Sequence, residues 1–197
     1  MKFLKVLVVI ILLNPCFEVL SNETYKWSRG KIELKNGSTL SGSIKYRPKY
    51  NVLMYKVDGK IKTYTADLIN YFEIRGKDFK SVNRYYSVPV KIDENRMKPE
   101  FFEVVTTGSI TLLKREALVR KRRGKRTEVT KVSRFFYMDQ SGTVQPLMPS
   151  KKSILKLMDA HARMVSNFMT DLELKPSKSA HIKQLFIFYN TLCRSSN

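Results

Sequence analysis

The chain has 197 residues and carries 37 lysines and arginines against 17 aspartates and glutamates, a formal net charge of +20. Hydrophobic residues make up 43% of it and include eleven phenylalanines, which is enough to build a buried core. This composition excludes a disordered basic tail. The charge predicts attraction to a polyanion, such as an acidic glycan, a lipid head group or nucleic acid, and does not choose among them.

The first 21 residues have the three-part pattern of a secretory signal peptide. Lys2 and Lys5 form a basic start, the apolar run Val6–Leu13 follows, and Ser21 offers a small residue for cleavage. The apolar run is too short to cross a bilayer as a helix, although an uncleaved membrane anchor is the alternative. We therefore predict a secreted, periplasmic or envelope-associated protein that keeps no transmembrane anchor after cleavage.

The two cysteines add little to this prediction. Cys16 lies in the segment to be removed, so Cys193 stands alone in the mature chain and no intramolecular disulfide is expected. Pro15 precedes Cys16, and its fixed backbone argues against lipidation at that cysteine. Cys193 is then either an inert residue on a helix or the site of an intermolecular disulfide.

Residues 22–149 show the alternation and turn signals of short antiparallel strands. The turn dipeptides Asn36-Gly37, Asp58-Gly59, Gly108-Ser109 and Ser141-Gly142 each separate two apolar alternating runs. Gly42, inside one such run, indicates a bulge or a close approach of another group to the backbone. The predicted strands are 32–34, 39–46, 52–57, 60–65, 68–74, 79–82, 85–90, 101–106, 110–113, 135–138 and 144–147, with 92–99 as a loop. The pattern predicts a β-rich domain folded as an antiparallel barrel or sandwich.

Residues 150–197 show helical periodicity. Ser150 or Ser153 suits a helix N-cap, and apolar residues recur every three or four positions from Ile154 to Met169, which predicts one helix. A second helix is expected to start at Pro176-Ser177. The predicted architecture is α+β: a signal peptide at 1–21, a β-rich domain at 22–149 and a C-terminal α-helical hairpin at 150–197 packed on it.

Three stretches of the chain resemble a known family. They are Trp27–Gly42, Tyr64–Phe72, and Phe101–Val104 together with Gly108–Leu113. With the C-terminal helix pair ending Phe188-Tyr189-Asn190, they are similar to an uncharacterised family of secreted proteins of Bacteroidota. The resemblance implies the β-rich fold and export from the cytoplasm, and it implies no activity.

The segment Lys114–Arg126 is the strongest surface signal, with eight basic residues and one acidic residue among thirteen. Like charges at this density repel one another, so we expect Glu116–Lys131 to form a long mobile loop between the strands at 110–113 and 135–138. The segment predicts either an anion-binding arm or an ordinary solvated loop. The candidate anion-binding residues are Lys114, Arg115, Arg120, Lys121, Arg122, Arg123, Lys125 and Arg126.

Basic residues also alternate with aromatic ones in three places: Tyr46–Tyr50, Arg84–Tyr86 and Arg134–Tyr137. Such an arrangement can form a stacking platform for single-stranded nucleic acid or sugars. The alternative, which we favour, is a set of cross-strand aromatic pairs with the cations on the solvent-facing side of the sheet.

No catalytic, cofactor or metal motif is found in the sequence. His161 and His181 have no further ligands at metal-ligand spacing, although Asp159 and Asp171 lie near them in the sequence. We interpret the acids Asp93-Glu94, Glu100 and Glu103 as solvated loop residues or strand-edge residues. We predict no catalytic residue, no cofactor and no metal. The predicted role is a non-catalytic binding or structural protein whose partner is a polyanion or an envelope protein. The alternative is a hydrolase with a dispersed site acting on an envelope polymer.

Overall fold

The computed structural model describes residues 26–76, 81–93, 96–124 and 126–195. The predicted signal peptide lies outside the described residues. The described part is an antiparallel sheet of ten strands followed by helices. This confirms the predicted mainly β, α+β fold with C-terminal helices. The sheet is not closed, so the fold is sandwich-like and not a barrel.

The strands follow one another through short turns. They are β1 (Ser28–Leu34), β2 (Thr39–Arg47), β3 (Val52–Val57), β4 (Lys60–Thr65), β5 (Ile69–Arg75), β6 (Val82–Asp93), β7 (Arg96–Thr106), β8 (Thr111–Arg123), β9 (Arg126–Met138) and β10 (Val144–Pro146). Their order across the sheet is β10-β9-β8-β7-β6-β5-β1-β2-β3-β4. Every pair is antiparallel, and only β1 departs from sequence order by pairing with β5 as well as β2.

The predicted hairpin turns have the backbone that their sequences favour. Asp58 and Gly59 have positive φ angles of 48° and 74°, as the two-residue turn between β3 and β4 requires, and Gly37 has a φ of 84° in the longer turn between β1 and β2. Gly42 lies in regular register opposite Gly30, so there is no bulge at this point. A Cβ at Gly42 would lie 2.9 Å from the ring of Tyr55, so this glycine provides the close approach that its position in the strand suggested.

The first half of the sheet bends around an aromatic core. Tyr46, Phe72 and Phe101 are buried in this core, and their ring centroids lie 5.0 to 5.7 Å apart. Because Tyr46 belongs to β2 and Phe101 to β7, strands that are far apart in the sheet order meet here. The bend buries one face of β1, β2, β3 and β5 and leaves the other face open.

Asn51 holds this bend at the end of β2. A 3-10 turn, Pro48–Tyr50, follows β2 and ends at Asn51, whose φ and ψ of 53° and 42° are left-handed. Its side-chain oxygen accepts a hydrogen bond from the Phe101 amide at 3.0 Å, and its side-chain nitrogen donates to the Pro99 carbonyl at 3.2 Å. The Asn51 side chain thus supplies hydrogen-bond partners to backbone groups on the edge of β7, at the point where β8 stops pairing with that strand.

The predicted first helix is broken in two. Ser150 caps α1 (Lys151–Leu157) by accepting a hydrogen bond from the Ser153 amide, as expected of an N-cap serine. A 3-10 turn, Asp159–His161, then separates α1 from α2 (Ala162–Asp171), so the single helix predicted from the 154–169 stripe was wrong. Met158 on one side of the break and Val165 on the other are both buried in the same core.

The last helix, α3 (Ser179–Ser195), starts two residues after the predicted Pro176-Ser177. Its buried residues Ile182, Leu185 and Phe186 pack with α1, α2 and the β8–β9 pair in a second core. Cys193 is partly buried against this core. The described helices include none that is long and apolar enough to cross a membrane.

One predicted loop is part of two strands in the structure. The segment Ile92–Pro99 was expected to be a loop, but β6 and β7 pair from Tyr85↔Glu103 to Asp93↔Arg96. Two prolines face each other in this ladder at Pro89↔Pro99, and the Pro99 carbonyl bonds to Asn51, away from β6. The proline pair therefore occupies a position where no inter-strand hydrogen bond is needed. Of the predicted strand 79–82, residues 79 and 80 lie outside the described residues, and β6 begins at Val82.

Candidate functional site

The basic segment forms the longest hairpin in the part of the chain that the structure describes. The strands β8 and β9 have 13 residues each and stay in register from Thr111↔Met138 to Arg123↔Arg126, with Gly124 in the turn at a φ of 58°. The predicted pairing of 110–113 with 135–138 is confirmed, but the prediction of a long mobile loop over Glu116–Lys131 is wrong. Backbone pairing outweighs charge repulsion because uncharged β-branched residues such as Val119 and Thr130 face each other between the cations.

The two basic residues at the base of the hairpin are neutralised by the protein itself. The Lys114 ammonium lies 2.8 Å from a carboxylate oxygen of Glu103, and the Arg115 guanidinium pairs with Glu100. Arg115 also lies over the ring of Phe102, and its burial lowers the pKa of its guanidinium. Both side chains are about one quarter exposed, so they are better placed to hold the base of the hairpin than to meet a ligand.

The exposed cations lie farther out. Arg120 and Arg122 are exposed on one face of β8, and their cross-strand partners Val129 and Thr127 are uncharged. Neither arginine has an ion pair with any described side chain. Alternate residues of a strand are about 6.8 Å apart, so the two guanidiniums form a short row. Of the other predicted residues, Lys121, Arg123 and Arg126 are placed by their backbone in the ladder, and Lys125 is outside the described part.

A second basic element lies beside this hairpin. The Pro48–Tyr50 turn is packed next to β8, with Arg47 directly before it and Lys49 within it. Both cations lie near the ring of Tyr50, at 5.2 and 5.3 Å from its centroid, and this ring is 56% exposed. The turn therefore adds an exposed aromatic ring and two cations to the side of the hairpin. The sequence singled out the stretch Tyr46–Tyr50, but no sequence signal placed it beside β8, because the bend of the sheet brings the two together.

A polar network lies beneath the hairpin on the inner face of the sheet. The hydroxyl of Tyr85 donates a hydrogen bond at 3.3 Å to the same Glu103 oxygen that pairs with Lys114. Burial, together with the charges of Glu103 and Glu116, raises the pKa of Tyr85 far above its usual range. The Tyr85 hydroxyl is therefore neutral and donates its hydrogen bond at every physiological pH. The network consists of the Lys114–Glu103 ion pair and this hydroxyl, and its role is structural.

The other basic and aromatic stretches are mainly structural. Tyr85 stacks on its neighbour Phe72 across β5 and β6, with centroids 4.8 Å apart, and Tyr71 packs on Tyr86 one row away. These are the cross-strand aromatic pairs expected of a sheet, which confirms that interpretation. Tyr50 is the exception, because it is exposed between two cations.

Of the acids singled out in the sequence, Glu94 lies outside the described residues, and Asp93, Glu100 and Glu103 do not form the paired carboxylates of a glycosidase. Glu100 and Glu103 lie on opposite faces of β7, as their partners on β8, Arg115 and Lys114, also do. Asp93, at the tip of the β6–β7 hairpin, pairs with Arg96 at 3.1 Å. Because each of these carboxylates faces a cation, the geometry assigns none of them a catalytic role.

The two histidines do not meet across the helices. His181 accepts a hydrogen bond from the Lys175 amide through Nδ1 at 2.9 Å and so closes the connection before α3. His161 packs against the ring of Tyr189, with centroids 5.8 Å apart. Over the described residues there is no group of three or more histidine, cysteine, aspartate or glutamate side chains that could hold a metal ion.

Comparison with known proteins gives no relative for this chain. No family model, no curated protein and no solved structure matches it. The function must therefore be argued from the surface itself.

Proposed function

We propose that this is an exported, non-catalytic binding protein that holds an anionic polymer through its β8–β9 hairpin. The observation that carries the proposal is the pairing of Arg120 and Arg122 with uncharged partners on a rigid ladder. A two-stranded ladder fixes the cations in a row and so reduces the entropy that each would lose on binding. The adjoining Arg47, Lys49 and Tyr50 extend the cationic surface toward the body of the protein.

The expected binding is electrostatic and weakly selective. Each phosphate or sulfate that an arginine neutralises releases bound counterions, so the affinity must fall steeply with salt concentration. The arginine fork pairs well with phosphate, sulfate and carboxylate oxygens alike. Heparin, acidic lipopolysaccharide and single-stranded DNA are therefore all suitable probes.

The test compares two variants that lose equal charge. The hairpin variant carries Arg120→Gln, Lys121→Gln, Arg122→Gln and Arg123→Gln, and the control carries Lys60→Gln, Lys62→Gln, Lys151→Gln and Lys152→Gln at exposed sites on β4 and α1. The hairpin variant should bind heparin at least tenfold more weakly. Its plot of log affinity against log salt for single-stranded DNA should be shallower by about 0.7 for each lost contact.

The control separates a site from bulk charge. It should keep the slope of the wild-type protein and most of its affinity. If both variants lose affinity equally, the protein binds through its net charge and the hairpin is not a site. If the hairpin variant binds every probe as the wild-type protein does, the hairpin is only a solvated arm.

The location outside the cytoplasm is part of the same proposal. It is supported by the basic start, apolar run and small residue in Met1–Ser21. N-terminal sequencing of the protein from the envelope or medium of its own host should begin near Asn22. Recovery of the chain from the cytosol with Met1 intact would contradict it.

A further inference from the structure

A second cationic surface lies on the open face of the sheet, over β5, β1 and β2. It is a groove of about 560 Å³ whose charged and hydroxyl side chains come from Arg29, Lys31, Ser41, Ser43, Glu73 and Arg75. Residues 29 and 31 alternate with the buried Ile32, and residues 73 and 75 alternate with the buried Phe72. All the charged side chains therefore stand on the face opposite the aromatic core.

The register brings like charges together in this groove. Gly30 pairs with Ile74, so Arg29 and Arg75 stand one step beyond that pair, beside each other. On its other side Arg29 faces Ser43, and Ser43 faces Lys56 of β3. The row across the strands is thus Arg75, Arg29, Ser43 and Lys56, with no acid in it. Like charges side by side on a sheet destabilise it unless an anion lies between them.

The nearby carboxylates are already engaged. Glu73 accepts a hydrogen bond from the Arg84 side chain at 2.7 Å, and this pairing raises the pKa of Arg84. Glu33, one row farther along β1, accepts a hydrogen bond from the Asn70 amide at 3.3 Å. Neither Arg29, Lys31 nor Arg75 forms an ion pair within the residues that the structure places. The groove therefore holds an excess of positive charge that described side chains do not neutralise.

The floor of the groove is shaped by small residues. Ser41 and Ser43 lie on β2 opposite Lys31 and Arg29, on the side away from Arg75; their small side chains leave the groove open there and offer two hydroxyl groups. Beneath them Gly30 lies opposite Gly42, and a Cβ at Gly30 would come within 2.3 Å of both the Glu73 carbonyl oxygen and Ile44. The strands are packed tightly under the groove, so its cations stand on a rigid surface.

We propose that this groove binds a sulfate or phosphate monoester carried on a sugar. Arg29 and Arg75 would hold the oxyanion between their guanidiniums, and Lys31 would add a third cation. The volume is in the range of small-molecule sites and is larger than a bare oxyanion needs, and the serine hydroxyls can accept or donate hydrogen bonds to a sugar. The site lies on strands other than those of the β8–β9 hairpin and does not depend on the function proposed for that hairpin.

The experiment is calorimetric titration of the mature protein with four probes: glucose 6-phosphate, glucose 6-sulfate, inorganic phosphate and glucose. The two sugar esters should bind at least fivefold more tightly than inorganic phosphate, and glucose should not bind. Equal affinity for inorganic phosphate would overturn the sugar component of the proposal. Binding of none of the anions would overturn the site.

Two double variants of equal charge test the residues. Arg29→Gln with Arg75→Gln should weaken binding of the sugar esters at least tenfold, whereas Lys151→Gln with Lys152→Gln, at exposed sites on α1, should change it less than twofold. Equal losses in both would show that bulk charge alone is responsible and would overturn the site. Unchanged affinity in the first variant would do so as well.

A stability measurement shows that the first variant is folded. Arg29 and Arg75 are exposed, and their replacement removes a like-charge contact, so the melting temperature without ligand should stay equal or rise. At the same time the rise in melting temperature that glucose 6-phosphate produces in the wild-type protein should disappear. A variant that melts normally and still shows the full ligand-dependent rise would contradict the proposal.

Discussion

Asn190 is the buried polar residue that ties α3 to the sheet. It is 4% exposed, its side-chain oxygen accepts a hydrogen bond from the Ile110 amide at 3.1 Å, and its nitrogen donates to the Ile110 carbonyl at 2.9 Å. The same nitrogen also lies 3.3 Å from the Thr107 carbonyl. A Cβ at Gly108 would lie 2.3 Å from the Asn190 side chain, so only glycine fits in the turn below it.

Replacing Asn190 with leucine should lower the free energy of unfolding by about 2–4 kcal/mol, because the Ile110 amide and carbonyl then stay buried without partners. Urea unfolding followed by circular dichroism measures the change. Asn70→Leu is the matched control, since Asn70 also makes side-chain hydrogen bonds but is exposed. Its effect should stay within about 0.5 kcal/mol. Equal effects of the two substitutions would contradict the role given to Asn190.

Asp139 organises the turn between β9 and β10. One of its carboxylate oxygens accepts hydrogen bonds from the Ser141 amide at 3.0 Å, the Ser141 hydroxyl at 2.5 Å and the Thr143 amide at 3.2 Å. The Ser141 hydroxyl and these amides lower the pKa of Asp139 below its usual value.

A depressed pKa in the folded state means that the ionised carboxylate stabilises the turn above the unfolded pKa of about 3.9, and that this stabilisation is lost as pH falls through the folded pKa. Asp139→Asn should therefore destabilise the protein at pH 7, and the difference from the wild-type protein should shrink below pH 4 or so. Melting temperatures of both proteins between pH 7 and pH 2.5 provide the measurement. A difference that stays constant over this range would refute the assignment.

At the scale of the elements, the bend of the sheet depends on the Pro48–Tyr50 turn and on Asn51 after it. Asparagine tolerates the left-handed backbone of this position and bonds to the free edge of β7 through both of its side-chain atoms. Asn51→Gly keeps the backbone relaxed and removes only the two hydrogen bonds. It should lower the free energy of unfolding by about 1–3 kcal/mol.

Asp58→Gly is the control for that substitution. Asp58 also has a positive φ, of 48°, but lies exposed in the β3–β4 turn. Its replacement by glycine should change stability by no more than about 0.5 kcal/mol. If Asn51→Gly behaves like Asp58→Gly in urea unfolding, the two hydrogen bonds to β7 do not stabilise the bend.

Structural features that depend on neighbouring residues could be predicted from the sequence, whereas features that depend on contacts between distant residues could not. Turn dipeptides such as Asn36-Gly37 carry their own backbone preference, so the hairpins and the α+β class were accessible. The 154–169 stripe concealed the break at Asp159–His161, because three- and four-residue spacing persists across a short 3-10 turn. Charge density over Glu116–Lys131 was interpreted as a loop, although arginine and lysine side chains are compatible with a strand, and Arg120 and Arg122 face the uncharged Val129 and Thr127.

The candidate sites follow the same division. The basic residues of the hairpin were visible as a cluster in the sequence, but the ion pairs that occupy Lys114 and Arg115 join β8 to acids of β7 and had no local signal. The groove at Arg29 and Arg75 was missed entirely, because its two arginines are 46 positions apart in the chain and only the β1–β5 register brings them together. Strand pairing between non-adjacent segments is the step that sequence patterns do not encode.

At the scale of the whole molecule, one continuous sheet carries two separate cores. The aromatic core lies between the bent strands, and the second core lies between the sheet and the helices. The strand β7 serves both, because Phe101 is buried in the first core and Val105 packs on the second. A shared strand couples the two, so we expect the protein to unfold as one cooperative unit.

The test of this coupling uses Leu185 of α3 and Trp27, the one tryptophan, which directly precedes β1. Leu185 is completely buried in the second core, so Leu185→Ala should cost about 2–5 kcal/mol. If the protein is one unit, the urea midpoint from Trp27 fluorescence must fall together with the midpoint from far-ultraviolet circular dichroism, although Trp27 lies outside the second core.

Ile187→Ala on the same helix is the matched control, because Ile187 is 44% exposed. It should move both midpoints little. If Leu185→Ala lowers the circular dichroism midpoint and leaves the Trp27 transition in place, the helices and the first half of the sheet unfold independently. Destabilisation of the second core would then not spread through β7 to the aromatic core. In that case the hairpin and the groove also belong to separate units, and a ligand of one would not stabilise the other.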